Sequence, residues 1–290
     1  MSKEMKSKKI DKNAIQFGLS TKSARQPFKG QKWLVEERDA CGVGFIAYQD
    51  GRESNKIVTQ ALKALGCMEH RGGCSADRDS GDGAGIMTAL PQKIFADWFS
   101  NNNISQPESE GWGVGMVFLP QDAEGIAESK QFIEEAVKAE NLTVLGWREV
   151  PVKPEVLGQQ ARDNQPHIEQ IVVSSTEGLT GDDLDRKLYI ARSQVGKHLS
   201  DDFYICSFSC RTIVYKGMVR SVILGDFYQD LANRDYESTF AVYHRRFSTN
   251  TMPKWPFAQP MRILGHNGEI NTLLGNINWM SNREKELVSN

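Results

Sequence analysis

Short strand-forming segments recur along this 290-residue chain more often than helices long enough to carry crossovers between them. Gly42–Tyr48 is apolar and ends at Asp50-Gly51, a turn signal. Ile86–Leu90, Trp112–Leu119, Leu142–Trp147, Phe240–His244 and Arg262–Leu264 also read as strands, and His167–Val173 alternates as a half-buried strand does. Tyr204–Phe208, Arg211–Tyr215 and Val219–Leu224 follow one another closely enough to predict an antiparallel meander, with a hairpin turn at Lys216-Gly217. Helical spacing is confined to residues 56–68, 123–139, 181–199 and 271–285. Parallel neighbours need a crossover of a dozen or more residues, which most of these connections lack. The pattern therefore predicts an α+β fold with largely antiparallel sheets. No internal repeat occurs, and Asn101–Glu110 reads as a surface loop.

Residues 1–40 differ from the rest. They hold ten lysines and arginines against five acids, whereas the whole chain carries a net charge of −2. Little there is apolar or periodic, which predicts a loosely ordered leader. The near-neutral total supplies no electrostatic case for nucleic acid or an anionic membrane as partner. No apolar run approaches the roughly 20 residues that span a bilayer. Five cysteines without a Cys-x-x-Cys pair fit neither a zinc site nor a closed disulfide set, so no metal site is expected.

Four short segments could carry chemistry. Cys41 lies between Ala40 and Gly42-Val43-Gly44, small neighbours that would let a ligand approach the backbone, although a structural cysteine would look the same. Gly81-Asp82-Gly83-Ala84-Gly85 lacks the Lys-Ser/Thr of a phosphate loop and reads as a tight turn. Arg245 and Arg246 end a strand and could grip a carboxylate, or form a surface ion pair. Asn267-Gly268 offers a side-chain amide beside a backbone N–H, two donors that could meet one oxygen, or simply a turn. No histidine neighbours Cys41 in sequence to serve as its base. His70, His167, His198, His244 and His266 read as structural.

Together these segments carry a resemblance. Cys41-Gly42-Val43-Gly44, Cys67-Met68-Glu69-His70-Arg71-Gly72-Gly73, Arg246-Phe247-Ser248-Thr249 and His266-Asn267-Gly268 occur in the order found in class II glutamine amidotransferases, which have the N-terminal-nucleophile hydrolase fold. The longer phrases GCMEHRGGCSADRDSGDGAGI and YHRRFSTNTMPKWPFAQPMRILGHNGEINTLLGN resemble the glutamate synthase family, its ferredoxin-dependent type most.

The resemblance implies a four-layer αββα fold with two packed antiparallel sheets, a leader over 1–40, and an amidotransferase domain over 41–290 that is incomplete at its C-terminus. It implies that Cys41 attacks the amide of L-glutamine, with Asn267 and Gly268 stabilising the oxyanion. Arg246 and Thr249 would hold the substrate carboxylate, and Arg71 and Gly72 would shape the nucleophile end. No cofactor is implied for this segment. FMN, a 3Fe-4S cluster, a 2-oxoglutarate site and ferredoxin as electron donor are implied for the full-length enzyme, in a cyanobacterial or bacterial cytoplasm or the plastid stroma. Phe247 stands where related amidotransferases often carry Trp. A stand-alone amidase of the same fold and a non-catalytic assembly module remain alternatives at this point.

Overall fold

Two four-stranded antiparallel sheets form the centre of the computed structural model, which describes residues 42–69, 77, 80–196, 198, 202–246, 254–266 and 273–288. The first sheet is built from β1 (Val43–Ala47), β2 (Ala84–Ala89), β7 (Thr212–Gly217) and β8 (Phe240–Arg245), in the order β1-β8-β2-β7. The second is built from β3 (Trp112–Leu119), β4 (Leu142–Glu149), β5 (His167–Ser175) and β6 (Tyr204–Ser209), in the order β4-β5-β3-β6.

Side-chain alternation sorts the two cores. Trp112, Val114, Met116 and Phe118 of β3 face the first sheet, in one core with Ile86, Ile213, Tyr215 and Tyr243. Val117 and Leu119 face the other way, onto α3 (Ala123–Ala139) and α5 (Gly181–Val195). On the first sheet α1 (Asn55–Cys67) packs against β8, β1 and β2, burying Ile57, Val58, Ala61 and Leu65. The layers thus run helix, sheet, sheet, helix. Each of those larger side chains contributes about 1.5–3 kcal/mol by leaving water. Ser54 caps α1 by accepting from the Lys56 amide at 3.1 Å, worth about 1 kcal/mol. α2 (Gln92–Asn101), which the sequence reading did not predict, sets Phe95 and Phe99 against Trp112 with ring centroids 5.2 and 5.1 Å apart.

Three expectations need correction. β5 is buried on both faces from Ile168 to Val173, because helices cover one side of its sheet and the other sheet covers the opposite side. The predicted meander over 204–224 does not form. β6 and β7 belong to different sheets, and Lys216-Gly217 lies inside β7. At the corner between them the amides of Arg211 and Thr212 donate to the Ser209 hydroxyl, and that of Cys210 donates to Asp185. Side chains thereby replace the ladder partner a hairpin would have supplied. Val219–Leu224 becomes a 3-10 turn at Ser221–Ile223 followed by α6 (Leu224–Phe227). A segment of six residues fits either period. Arg262–Leu264 is likewise no strand but a turn closed by Met261 and Leu264.

A buried polar network ties the sheets together. Arg148 of β4 donates twice to Asp230 in α7 (Gln229–Ala232), at 2.8 and 2.6 Å, and once to Gln170 of β5 at 2.8 Å. Tyr215 of β7 donates to the same aspartate at 2.9 Å. Burial works against the charge on Arg148, but its bonds to Asp230 outweigh that and raise its pKa. The final described helix, α8 (Leu273–Glu284), buries none of its side chains.

Candidate active site

The last three residues described on β8 and just beyond it, His244, Arg245 and Arg246, gather segments far apart in sequence. Antiparallel pairing sets Val43 opposite His244, and the Arg245 amide donates to the Gly42 carbonyl at 2.6 Å. Gly42 is needed there, since a β-carbon would sit 2.5 Å from the Arg245 carbonyl oxygen. The Arg246 amide donates to the Gly83 carbonyl at 2.7 Å. Arg246 adopts φ 87°, a left-handed conformation that costs a non-glycine residue roughly 1–2 kcal/mol and turns the chain out of the strand.

The two arginines have separate environments. Arg245 is 1% exposed, on the core face shared with Ala241 and Tyr243. Its guanidinium donates to Gly83 at 3.2 Å and lies 3.5 Å from Glu69. Arg246 is half-buried at the strand's end. The pair is therefore not a double clamp. Arg245 is a structural cation, whereas Arg246 lies at the strand's end, out of that core.

Glu69 joins a further segment to this point. Besides Arg245 it meets Arg220 at 2.9 Å and accepts from the Ser221 hydroxyl. Burial works against its ionisation, but Ser221, Arg220 and the charge of Arg245 together hold its carboxyl below the usual range. Glu69 stands two residues before Arg71.

A fourth segment arrives with His266. Its carbonyl accepts from His244 Nε2 and from Gln259 Nε2, both at 2.9 Å, while its amide donates to Gln259 Oε1 at 2.9 Å. A carbonyl only accepts, so His244 carries its proton on Nε2.

Of the residues predicted for catalysis and binding, Arg246 is described. Cys41, Arg71, Gly72, Thr249, Asn267 and Gly268 lie outside the described residues. Described chain neighbours of three of these segments, Gly42, Glu69 and His266, all bond to His244 or Arg245. Glu69, His244 and Gln259 were not predicted to have a site role. Strand alternation from Ala241 and Tyr243 could have assigned Arg245 to the core, but no sequence signal connects Gln259 to His266.

The buried thiols of Cys206 and Cys210 are poor nucleophiles. Burial pushes Cys206 up to about 12, and burial together with the neighbouring Asp185 carboxylate pushes Cys210 up to about 12. A cleft of about 640 Å³ bordered by Gln121, Asp163, Lys254 and Trp255 contains none of the predicted site residues. Among the described residues no group of three or more His, Cys, Asp or Glu could hold a metal ion. Nor is any described helix long and apolar enough to cross a membrane.

The sequence profile of the family described as glutamine amidotransferases class-II matches residues 41–290. The chain belongs to this family. Similar curated proteins include ferredoxin-dependent glutamate synthase 2 of Synechocystis sp., 69% identical over 91% of this chain. The ferredoxin-dependent glutamate synthase of Pyropia yezoensis is 58% identical over 88%, and the chloroplastic/mitochondrial ferredoxin-dependent glutamate synthase 1 of Arabidopsis thaliana is 51% identical over 93%. The chain spans 17% of the length of each of these relatives. In this amidotransferase domain, the αββα layering brings Gly42, Glu69 and His266 together at the end of β8.

Proposed function

We propose that this domain hydrolyses L-glutamine at Cys41 and that it does so after residues 1–40 are removed. The observation that carries the reading is the convergence at the end of β8. Gly42, Glu69, Arg246 and His266 adjoin or belong to the four sequence segments assigned to nucleophile, pocket wall, carboxylate grip and oxyanion turn, and they meet around three consecutive residues.

Cleavage before Cys41 frees an α-amine with a pKa near ~8, close enough to neutrality to take the thiol proton. Nucleophile and base then belong to one residue, so no adjacent histidine is required. The thiolate attacks the amide carbon, and Asn267 with the Gly268 N–H would hold the oxyanion. Collapse expels ammonia and leaves a γ-glutamyl thioester. Water then releases glutamate and restores the thiol. Arg246 and Thr249 would grip the α-carboxylate, with Arg71 and Gly72 lining the nucleophile end.

The named relatives support a wider reading for the whole protein, in which the ammonia reductively aminates 2-oxoglutarate and two glutamates result. Ferredoxin would supply electrons, with FMN and a 3Fe-4S cluster held outside this segment. Its setting would be the cytoplasm of a cyanobacterial-type cell or the plastid stroma. No step at the residues of this chain runs through either cofactor.

N-terminal sequencing of the purified enzyme, paired with glutaminase assays of Cys41→Ala, tests the reading. A mature terminus at Cys41 and loss of activity in the variant are expected. Glutaminase activity in a chain that retains Met1, or in Cys41→Ala, overturns it.

A further inference from the structure

Gln259 is 7% exposed, and both ends of its side-chain amide are spent on the backbone of one residue, the amide and carbonyl of His266. The N–H belongs to the peptide before His266 and the C=O to the peptide after it, so this two-point grip fixes the two peptide planes relative to each other, which a single bond cannot do. The next residue is Asn267. Two donors on Asn267 and Gly268 that must meet one oxygen depend on how the preceding peptide planes are set, because oxyanion stabilisation falls steeply when donors leave hydrogen-bond distance.

Gln259 is itself held by the framework. It lies on a strap, residues 254–260, that crosses the ends of β2 and β7. The Lys216 ammonium donates to the Pro256 carbonyl at 2.7 Å, and the Trp255 indole donates to Ala161 at 3.2 Å. The strap can press this close because Gly85 and Gly217 lie beneath it. A β-carbon on Gly85 would come within 2.5 Å of the Gln259 carbonyl oxygen, and one on Gly217 within 2.3 Å of the Trp255 ring. His244 supplies a further bond to His266 from β8, two residues before the arginine assigned to the substrate.

We propose that Gln259 is a positioning residue for the oxyanion turn. It transmits the geometry of the β2–β7 sheet edge to Asn267-Gly268 through the His266 peptide. The inference rests on the proposed glutaminase reading. It predicts a specific failure: a pocket that still binds glutamine but stabilises the tetrahedral state poorly.

The test uses the full-length mature enzyme with Gln259→Leu and Gln259→Glu. Leucine removes both bonds. Glutamate keeps an acceptor for the His266 amide but sets a carboxylate oxygen against its carbonyl, and it serves if the leucine variant does not fold. Three quantities are read: glutaminase kcat and KM, the affinity for L-glutamate, and the affinity for the γ-aldehyde analogue of glutamine, whose hemithioacetal places an oxygen in the oxyanion position. We expect kcat to fall about ten- to a hundredfold, as misplaced catalytic donors cause. Aldehyde affinity should fall in parallel, with KM and glutamate affinity moving less than about threefold. The proposal is overturned if both variants keep kcat within about twofold, or if glutamate affinity collapses together with kcat. Cys41→Ala in the same assay separates the two ideas. Activity surviving there sinks the glutaminase reading, whereas an inactive Cys41→Ala beside a fully active Gln259→Leu sinks this proposal alone.

Discussion

Arg245 and Gly42 are joined backbone to backbone at 2.6 Å, so the residue after the proposed nucleophile is locked to the residue before the proposed carboxylate ligand. A side chain at Gly42 would strike the Arg245 carbonyl, and neither backbone can retreat without breaking the β1–β8 ladder. Gly42→Ala is expected to cost about 1–3 kcal/mol, the usual penalty of overpacking. It should also lower glutaminase activity by more than the stability loss explains. Thermal melts alongside steady-state assays check this, and wild-type behaviour in both would refute it.

The Arg148–Asp230 pair makes a second case. Asp230→Ala strips Arg148 of a bidentate partner in a site where water cannot substitute freely, and it also leaves the Tyr215 hydroxyl short of its acceptor. Breaking a buried pair from one side costs about 3–5 kcal/mol. Urea unfolding of the variant should show a midpoint lowered to match.

Lys216 gives a dependence on alkaline pH. Burial lowers its pKa to about 8 from an ordinary 10.5. Below about 8 both folded and unfolded chains hold the proton. Between about 8 and 10.5 the unfolded chain holds more protons than the folded one, so stability from this group rises with pH. Lys216→Met should remove that rise. Urea midpoints of the two proteins, compared across this interval, would run parallel if the account is wrong.

Glu69 acts at the acid end. Its folded pKa lies below the ordinary 4.5, so its contribution is complete above 4.5 and is lost as pH falls through the lower folded value. Glu69→Gln should be less stable than wild type near neutrality and should lose less on acidification. Acid titration of both proteins by circular dichroism measures this.

How much could be read without coordinates varied by element, for physical reasons. Trp112–Leu119 and Ala123–Ala139 were predicted to the residue, because Pro120 and the capping Asp122 punctuate an apolar strand and a long amphipathic helix. Asp122 accepts from the Gly125 amide at 2.7 Å, a local contact that sequence spacing already encodes. Val219–Leu224 and Arg262–Leu264 were misread, since segments of three to six residues are too short to show a period and fit helix, strand or turn equally well. The sheet change between Ser209 and Thr212 depends on Asp185, which lies on a distant helix. In the site, the motif suggested Arg246 as a carboxylate ligand, and the structure sets it at the end of β8. The buried role of Arg245 emerged from Glu69 and Gly83, more than 160 residues away in sequence.

By itself the order of residues determined the α+β class, the family and the identity of the chemical groups, because periodicity, turn punctuation and contiguous motifs are local properties. Tertiary structure alone decided which segments meet at the end of β8, which carboxylate faces Arg245, and that Gln259 holds the peptide preceding Asn267. Those relations depend on strand order and close packing between segments distant in the chain, and such distances follow from how the sheets assemble.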